Sequence, residues 1–209
     1  MQLIVISSST NFENEMEIVG KLFEAGLETF HLRKPKFSTR ELKKYIQQIS
    51  PNFHNRIVIH SHHSLAGKFK LKGIHLTKTH LNRNLKTSLV VKWLRFRNPK
   101  LTISTSYSKL ISIFEEDKRF SYVFLSPVFD SLIGKYQSGF TEHSMKKAIE
   151  KTSHKVIARG GVDIHCLPKA KELGFAGIAI YSGLWNKKNP LTEFESIIKK
   201  CYELGIPIE

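Results

Sequence analysis

The sequence predicts an α/β fold, a single closed (β/α)8 TIM barrel that occupies residues 1–209 as one domain. First, short apolar runs alternate along the chain with segments of helical periodicity. Second, two late segments, 155–163 and 177–183, contain glycines at the point where each strand should give way to a helix. Third, no linker or change of composition divides the 209 residues. That length is near the lower limit for eight strand–helix units.

The first half of the chain predicts four strand–helix units. Residues 3–6 are a continuous apolar run, as expected for a parallel strand that is buried on both faces. Ile18 and Leu22 form a helical i, i+4 pair, and Gly26 follows as the residue that ends this helix. The same reasoning predicts strands at 27–32, 57–60 and 74–76, and helices at 13–25, 39–49, 63–69 and 86–95.

The second half repeats the pattern. It predicts strands at 101–105, 122–125, 156–158 and 175–180, a helix at 108–116, a helix capped by Thr141, another capped by Asp163 and a last helix with an apolar stripe from Phe194 to Cys201. Gly174 and Gly205 each end a helix in the same way as Gly26, which is the repetition that a barrel should show. The alternative, a doubly wound open sheet, would place its phosphate-binding glycines after the first strand, where this chain has serines.

The charge of the chain favours an anionic ligand. The formal net charge is +15 at pH 7, and an excess of this size attracts anions over long distances. Its lysines and arginines are scattered over the polar faces of predicted helices, whereas a nucleic-acid interface clusters them. We therefore expect small phosphorylated substrates as partners and no nucleic acid.

The cysteines and the first residues of the sequence indicate in which cellular compartment we expect the protein. The two cysteines, Cys166 and Cys201, lack the spacing of a metal site and are expected to be reduced thiols in a cytoplasmic protein. The apolar run at 3–6 is too short for a signal peptide or a membrane span. No membrane partner is expected, and a homodimer is left open.

Polar residues follow most of the predicted strands, where barrels carry their working residues. They are mainly cations and hydroxyls, a set that suits phosphate or diphosphate and offers little to a hard metal ion. They include Ser7, Ser8, His31, Arg33, Lys34, His75, Ser104, Ser106 and Ser182, together with the runs 60–63, 126–131 and 159–161.

Five short motifs in barrel order give the chain a family resemblance. They are His31-Leu32-Arg33-Lys34, Gly73-Ile74-His75-Leu76, Ser126-Pro127-Val128-Phe129, Arg159-Gly160-Gly161-Val162 and the segment 177–183. In this order they resemble the motifs of the thiamine phosphate synthase and thiazole tautomerase family, and they cover almost the whole chain.

The resemblance implies a transferase of thiamine biosynthesis that joins hydroxymethylpyrimidine diphosphate to thiazole phosphate. It places Arg33 and Lys34 on the diphosphate, Ser106 near the reacting groups and Lys135 on the loop after the sixth strand. The residues expected to bind substrate or phosphate are His31, His60, Ser61, His62, Ser126, Ser131, Gly160, Gly161, Ser182 and Gly183.

Several positions depart from the family pattern. The family uses Mg²⁺, held by an Asp after the third strand and a second carboxylate after the fourth. This chain has His60-Ser61-His62 at the first place and Lys78-Thr79-His80 near the second. We therefore assign no metal ligands.

The same residues are also compatible with two other functions. One is a tautomerase-like enzyme, although the histidine that the tautomerase uses after the fifth strand is Ser108 here. The other is a non-catalytic binder of thiazole phosphate or thiamine phosphate. The histidines at 60–63, with His75 and His80, are interpreted as part of an anion site or of the surface. A metal-dependent hydrolase is the alternative for them, but it would need a carboxylate after the eighth strand, where the chain reads Tyr181-Ser182.

Overall fold

The eight strands of the chain form one closed, all-parallel barrel. This computed structural model describes residues 1–10, 12–114, 117, 119–130 and 139–208. Within them the strands follow one another around the barrel in chain order. They are β1 (Gln2–Ile6), β2 (Thr29–Leu32), β3 (Ile57–Ile59), β4 (Gly73–Leu76), β5 (Thr102–Tyr107), β6 (Tyr122–Leu125), β7 (Val156–Arg159) and β8 (Gly177–Ile180). The predicted (β/α)8 fold is confirmed.

Helices connect the strands, as the fold requires. They are α1 (Glu15–Glu24), α2 (Thr39–Gln48), α3 (Ser64–Lys68), α4 (Lys78–Asn82), α5 (Asn84–Arg97), α6 (Glu142–Lys151), α7 (Leu167–Glu172), α8 (Ser182–Trp185) and α9 (Pro190–Glu203). Short 3₁₀ turns occupy Pro51–Arg56, Leu110–Phe114 and Ile164–Cys166. Among the described residues, none of these helices has the length and apolar character needed to span a membrane.

Backbone contacts group the chain into two compact units. The first unit is Ile6–Thr105, and the second unit is Met1–Val5 with Ser106–Glu209. In the first unit β2 pairs with β3 and β3 with β4, over a core that includes Phe23 stacked on Phe53. In the second unit β8 pairs with both β1 and β7, and α9 buries Phe194 and Ile197. The expectation of one domain over 1–209 stays a prediction.

The predicted helix ends are found in the structure. Gly26, Gly174 and Gly205 follow α1, α7 and α9 with φ values of 99°, 83° and 59°. Glycine adopts this left-handed conformation without the steric cost that a Cβ imposes. At the N-terminal end of α6, the Thr141 side chain accepts a hydrogen bond from the Ser144 backbone N–H, as predicted for a cap.

One predicted helix differs from the expectation, and its last two residues, 115 and 116, lie outside the described residues. The sequence predicts a helix at 108–116, whereas the structure has a 3₁₀ turn at Leu110–Phe114. Two of its five residues, Ile111 and Ile113, are β-branched and lose rotamer freedom in a helix. Only Ile113 is fully buried there, while Ile111 is 71% exposed. This segment therefore lacks the continuous buried stripe that stabilises most helices in proteins.

Candidate functional site

Three buried histidines of the first unit come together on neighbouring strands. His31 lies in β2, His60 directly follows β3 and His75 lies in β4. His31 Nδ1 is 2.9 Å from His60 Nε2, and the rings of His60 and His75 stack with centroids 4.2 Å apart. One ring nitrogen from each residue lies within 4.8 Å of the others. We call these three residues the histidine cluster.

The neighbouring histidines do not join this cluster. The hydroxyl of Thr39 lies 2.8 Å from His62 Nδ1, and His62 Nε2 donates to the Phe37 carbonyl at 2.9 Å. His63 Nε2 donates to the backbone carbonyl of His75 at 3.2 Å, and burial lowers the pKa of His63 to about 4. The run 60–63, which the sequence presents as one group, is therefore divided between different neighbours. Ser61, between His60 and His62, is half-buried.

Lys34 is buried in an ion pair. Its Nζ lies 2.5 Å from Glu15 Oε2, and the two side chains are only 2% and 7% exposed. The Tyr45 hydroxyl donates to the other Glu15 oxygen at 3.0 Å. Burial raises the pKa of Glu15, and the hydrogen bond and charge of Lys34 oppose this effect. A contact between Lys34 and a diphosphate would require this pair to open.

A cavity of about 280 Å³ adjoins this ion pair. Its walls are mainly aromatic and apolar, with the Lys34 and Glu15 side chains among them; the lining residues are Phe12, Asn14, Glu15, Met16, Lys34, Phe37 and Tyr45. Glu15 and Tyr45 were not candidates from the sequence. The only signal for Glu15 is an acidic residue in the first turn of a helix, which usually just complements the helix dipole.

Arg33 is held at the end of β2 through its backbone. Its N–H donates to Ser7 Oγ at 2.8 Å, and the Ser7 hydroxyl donates to the Arg33 carbonyl at 3.1 Å. The side chain of Arg33 is half-buried. A guanidinium presents several N–H donors in one plane, which suits the oxygens of a phosphate.

In the second unit, the loop after β6 packs against the glycines that follow β7. Gly160 and Gly161 have φ values of 89° and 66°. A Cβ on Gly161 would lie 2.1 Å from the carbonyl oxygen of Asp130, and one on Gly160 would lie 3.3 Å from Ser126 Oγ. The Phe129 N–H donates to the Gly160 carbonyl at 3.1 Å. Only glycine fits these positions, because both the conformation and the close approach exclude a side chain.

The residues after β8 approach the loop that follows β7. A Cβ on Gly183 would lie 2.3 Å from the Val162 carbonyl oxygen. Ser182 begins α8 and is half-buried. The Asp163 side chain accepts hydrogen bonds from the N–H groups of His165 and Cys166, so it caps the 3₁₀ turn at Ile164–Cys166 that precedes α7, whereas the sequence predicts it as the cap of the helix itself. The predicted phosphate segments of β7 and β8 are therefore adjacent within this unit.

Ser106 lies at the end of β5 and has a cationic neighbour. Arg159 Nη1 donates to Ser106 Oγ at 3.4 Å. Arg159 stands in a motif that the sequence singles out, but it is not among the predicted site residues. Two predicted residues, Ser131 and Lys135, lie outside the described residues.

The residues of the first unit do not fit a magnesium site. Mg²⁺ binds oxygen ligands, usually with one or two carboxylates. The segment 60–62 offers two imidazoles and a hydroxyl, and the sequence has no Asp or Glu between Glu41 and Glu115. The carboxylate of Glu15 is occupied by Lys34. These residues therefore do not form a site for this ion.

Cys166 is expected to react slowly with thiol reagents. Its thiol donates to the Gly161 carbonyl at 3.3 Å, and burial raises its pKa to about 11. Since only the thiolate is nucleophilic, the reactive fraction at pH 7 should be about 100-fold below that of a thiol with the ordinary value. In a Cys201→Ser variant, the alkylation rate should rise about tenfold per pH unit between pH 7 and 10. Denatured protein is the control, and equally fast labelling of the folded form at pH 7 would contradict the prediction.

The chain is similar to known proteins over most of its length. A family model described as thiamine monophosphate synthase matches residues 2–184. The chain is 25% identical over 191 residues to a thiamine-phosphate synthase of Prochlorococcus marinus, a match that covers 90% of this chain and 53% of that protein. The chain thus spans about half the length of this curated relative.

Solved structures show the same fold. A thiamine phosphate pyrophosphorylase from Bacteroides thetaiotaomicron has a TM-score of 0.76 and 28% identity, covering 97% of this chain and 98% of that one. A thiamine phosphate pyrophosphorylase from Pyrococcus furiosus has a TM-score of 0.75 and 20% identity, covering 97% and 96%. At 20% identity the second likeness concerns the fold alone.

Proposed function

Because this chain belongs to the thiamine monophosphate synthase family, we propose that it is a transferase that joins hydroxymethylpyrimidine diphosphate to thiazole phosphate. The observation that carries the proposal is the packing of Gly160, Gly161 and Gly183 at the ends of β7 and β8. Glycine-lined turns after the last two strands of a barrel are a common phosphate-binding arrangement. The family match supplies the substrate class.

In the proposed reaction, the bond between the methylene carbon of the pyrimidine and its diphosphate oxygen breaks. The thiazole nitrogen then forms a new bond to that carbon, and diphosphate leaves with the electron pair of the broken bond. The chain assists by neutralising the charge that develops on the leaving group. Arg33 is assigned to the diphosphate oxygens, while backbone N–H groups at Gly161 and Gly183 hold the thiazole phosphate.

Ser106 and Arg159 are assigned near the reacting groups. The guanidinium of Arg159 fixes the position of the Ser106 hydroxyl, so Arg159 is a positioning residue in this scheme. The half-buried Ser126 lies 3.3 Å from where a Cβ of Gly160 would be, and it is assigned to the same phosphate region.

The proposal is tested by incubating the protein with both precursors, with and without magnesium, and measuring diphosphate release and thiamine phosphate formation. We expect turnover with little dependence on magnesium, because the segments 60–62 and 78–80, which follow β3 and β4, contain no Asp or Glu. Arg33→Met should slow turnover by about 100-fold, the usual effect of losing one donor to a developing charge. Arg40→Met removes the same charge from the exposed first turn of α2 and should leave the rate unchanged.

A non-catalytic binder is the second candidate, and one observation favours it. Lys34, which the family resemblance places on the diphosphate, is paired with Glu15 instead. If no diphosphate is released under either condition while calorimetry still detects thiazole phosphate binding, the binder replaces the transferase. Equal rates for Arg33→Met and the unmodified protein would remove Arg33 from the proposed site.

A further inference from the structure

We propose that the histidine cluster binds a divalent transition-metal ion of the zinc class through His31, His60 and His75. His31 and His75 lie in β2 and β4, His60 directly follows β3, and the three residues are 0%, 2% and 7% exposed, respectively. Each offers a ring nitrogen, and these nitrogens lie within 4.8 Å of one another. This proposal goes beyond the transferase assignment and does not depend on it, since metal binding is measured without substrate.

A three-nitrogen site requires the stacked rings of His60 and His75 to turn, because the lone pair of an imidazole nitrogen lies in the ring plane and two nearly parallel rings cannot both direct it at one ion. Zinc–nitrogen bonds of about 2.0–2.1 Å in tetrahedral geometry place their nitrogens about 3.3 Å apart. His31 Nδ1 and His60 Nε2 are 2.9 Å apart, so an ion would replace their mutual hydrogen bond by separating them slightly. Imidazole nitrogen suits zinc, cobalt, nickel and copper, whereas Mg²⁺ prefers oxygen.

A second layer of contacts orients one of the three rings. His75 Nδ1 lies 2.9 Å from the hydroxyl of Ser104, which is itself 1% exposed. When this nitrogen carries the proton and donates to Ser104, the other ring nitrogen keeps its lone pair for a metal ion. Metal-bound histidines usually make such a hydrogen bond with the nitrogen that does not bind the ion.

The charge balance of the site indicates which fourth ligand would complete the coordination of the ion. Three neutral imidazoles leave both charges of a divalent ion uncompensated, and the chain has no acidic residue between Glu41 and Glu115. An anionic oxygen in the fourth position, from hydroxide or a phosphate group, would reduce this charge. Three protein ligands with an open fourth position are typical of reactive rather than purely structural zinc sites.

The test uses chelator-treated protein without a polyhistidine tag, titrated with Zn²⁺ in a calorimeter and with Co²⁺ in a visible spectrometer. We expect one ion per chain, with Co²⁺ bands of the intensity that four-coordinate cobalt gives. Excess Mg²⁺ should not remove these bands. Metal should also raise the midpoint of thermal unfolding, because the ion binds only the folded cluster.

Variants separate the cluster from other sites on the surface. His31→Gln and His75→Ala should each weaken binding at least tenfold, and Ser104→Ala should weaken it about tenfold by releasing the His75 ring. His143→Ala, on the exposed face of α6, is the matched control and should bind as the unmodified protein does. Circular dichroism of each metal-free variant reports whether it folds.

Two results would overturn the proposal. One is the absence of stoichiometric Zn²⁺ binding to folded protein, which would leave the cluster as a set of hydrogen-bonded core histidines. The other is binding that His31→Gln and Ser104→Ala leave intact, which would place the ion elsewhere. Loss of turnover with metal binding intact would bear on the transferase proposal only.

Discussion

Replacing Gly161 by alanine is expected to weaken thiazole phosphate binding by about 10- to 100-fold, because a hydrogen bond to a charged group contributes about 1.5–3 kcal/mol. The new methyl group would lie 2.1 Å from the Asp130 carbonyl oxygen and 2.6 Å from that of Phe129. These atoms belong to the backbone, so a loop must move as a whole. Calorimetry with thiazole phosphate measures the loss, and thermal unfolding confirms that the variant is folded.

The chain offers a matched control for this experiment in Gly205. Its φ of 59° is close to the 66° of Gly161, but no atom lies within 4 Å of a Cβ built there. Gly205→Ala should therefore lower the free energy of unfolding by about 1–2 kcal/mol through backbone strain alone, with phosphate binding unchanged. Unchanged binding in Gly161→Ala would show that this loop does not hold the phosphate.

Breaking the Lys34–Glu15 pair is expected to produce the largest loss of stability. Lys34→Met leaves the Glu15 carboxylate buried without its cation, and such a change lowers the free energy of unfolding by about 3–5 kcal/mol. The double variant Lys34→Met, Glu15→Leu should recover most of the lost free energy of unfolding, because no unpaired charge remains. Denaturant unfolding at pH 7 measures all three proteins.

The pH dependence of this effect provides a second readout. Burial already raises the pKa of Glu15, and loss of Lys34 should raise it further. An acid whose folded-state pKa is raised takes up its proton more readily when folded, so its penalty grows as pH rises through that pKa. The destabilisation by Lys34→Met should therefore be largest at neutral pH and shrink as the pH falls.

An exposed ion pair serves as the control. Lys21 and Glu17 are 2.6 Å apart, but their side chains are 50% and 62% exposed. Water and salt screen such a pair, so Lys21→Met should leave stability unchanged within experimental error. A Lys34→Met variant as stable as Lys21→Met would mean that the buried pair contributes nothing at pH 7.

The strands could be predicted from the sequence because of how the barrel buries them. Both faces of a parallel strand are covered, so β1 and β6 appear as continuous apolar runs with clear limits. Helix ends were equally clear where glycine adopts a left-handed conformation, as at Gly26. The 3₁₀ turn at Leu110–Phe114 could not be predicted, since whether this segment forms a regular helix depends on which of its side chains pack against the core.

The arrangement of the candidate site was harder to predict. The run 60–63 suggests one group of histidines, but only His60 joins the cluster, because its neighbours in the chain point toward other elements. The contact between His31 and His60 could not be predicted either, because the register between β2 and β3 decides which side chains meet. Lys34 and Glu15 lie on different elements, and nothing in either local segment signals their pairing.

The Lys34–Glu15 pair also has an evolutionary consequence. A lineage that changes either residue alone passes through a protein with one buried, unpaired charge, and selection removes variants that fall below the stability needed for function. We therefore expect the two positions to be kept or replaced together. Freeing Lys34 to contact a substrate would therefore require a change at Glu15 as well.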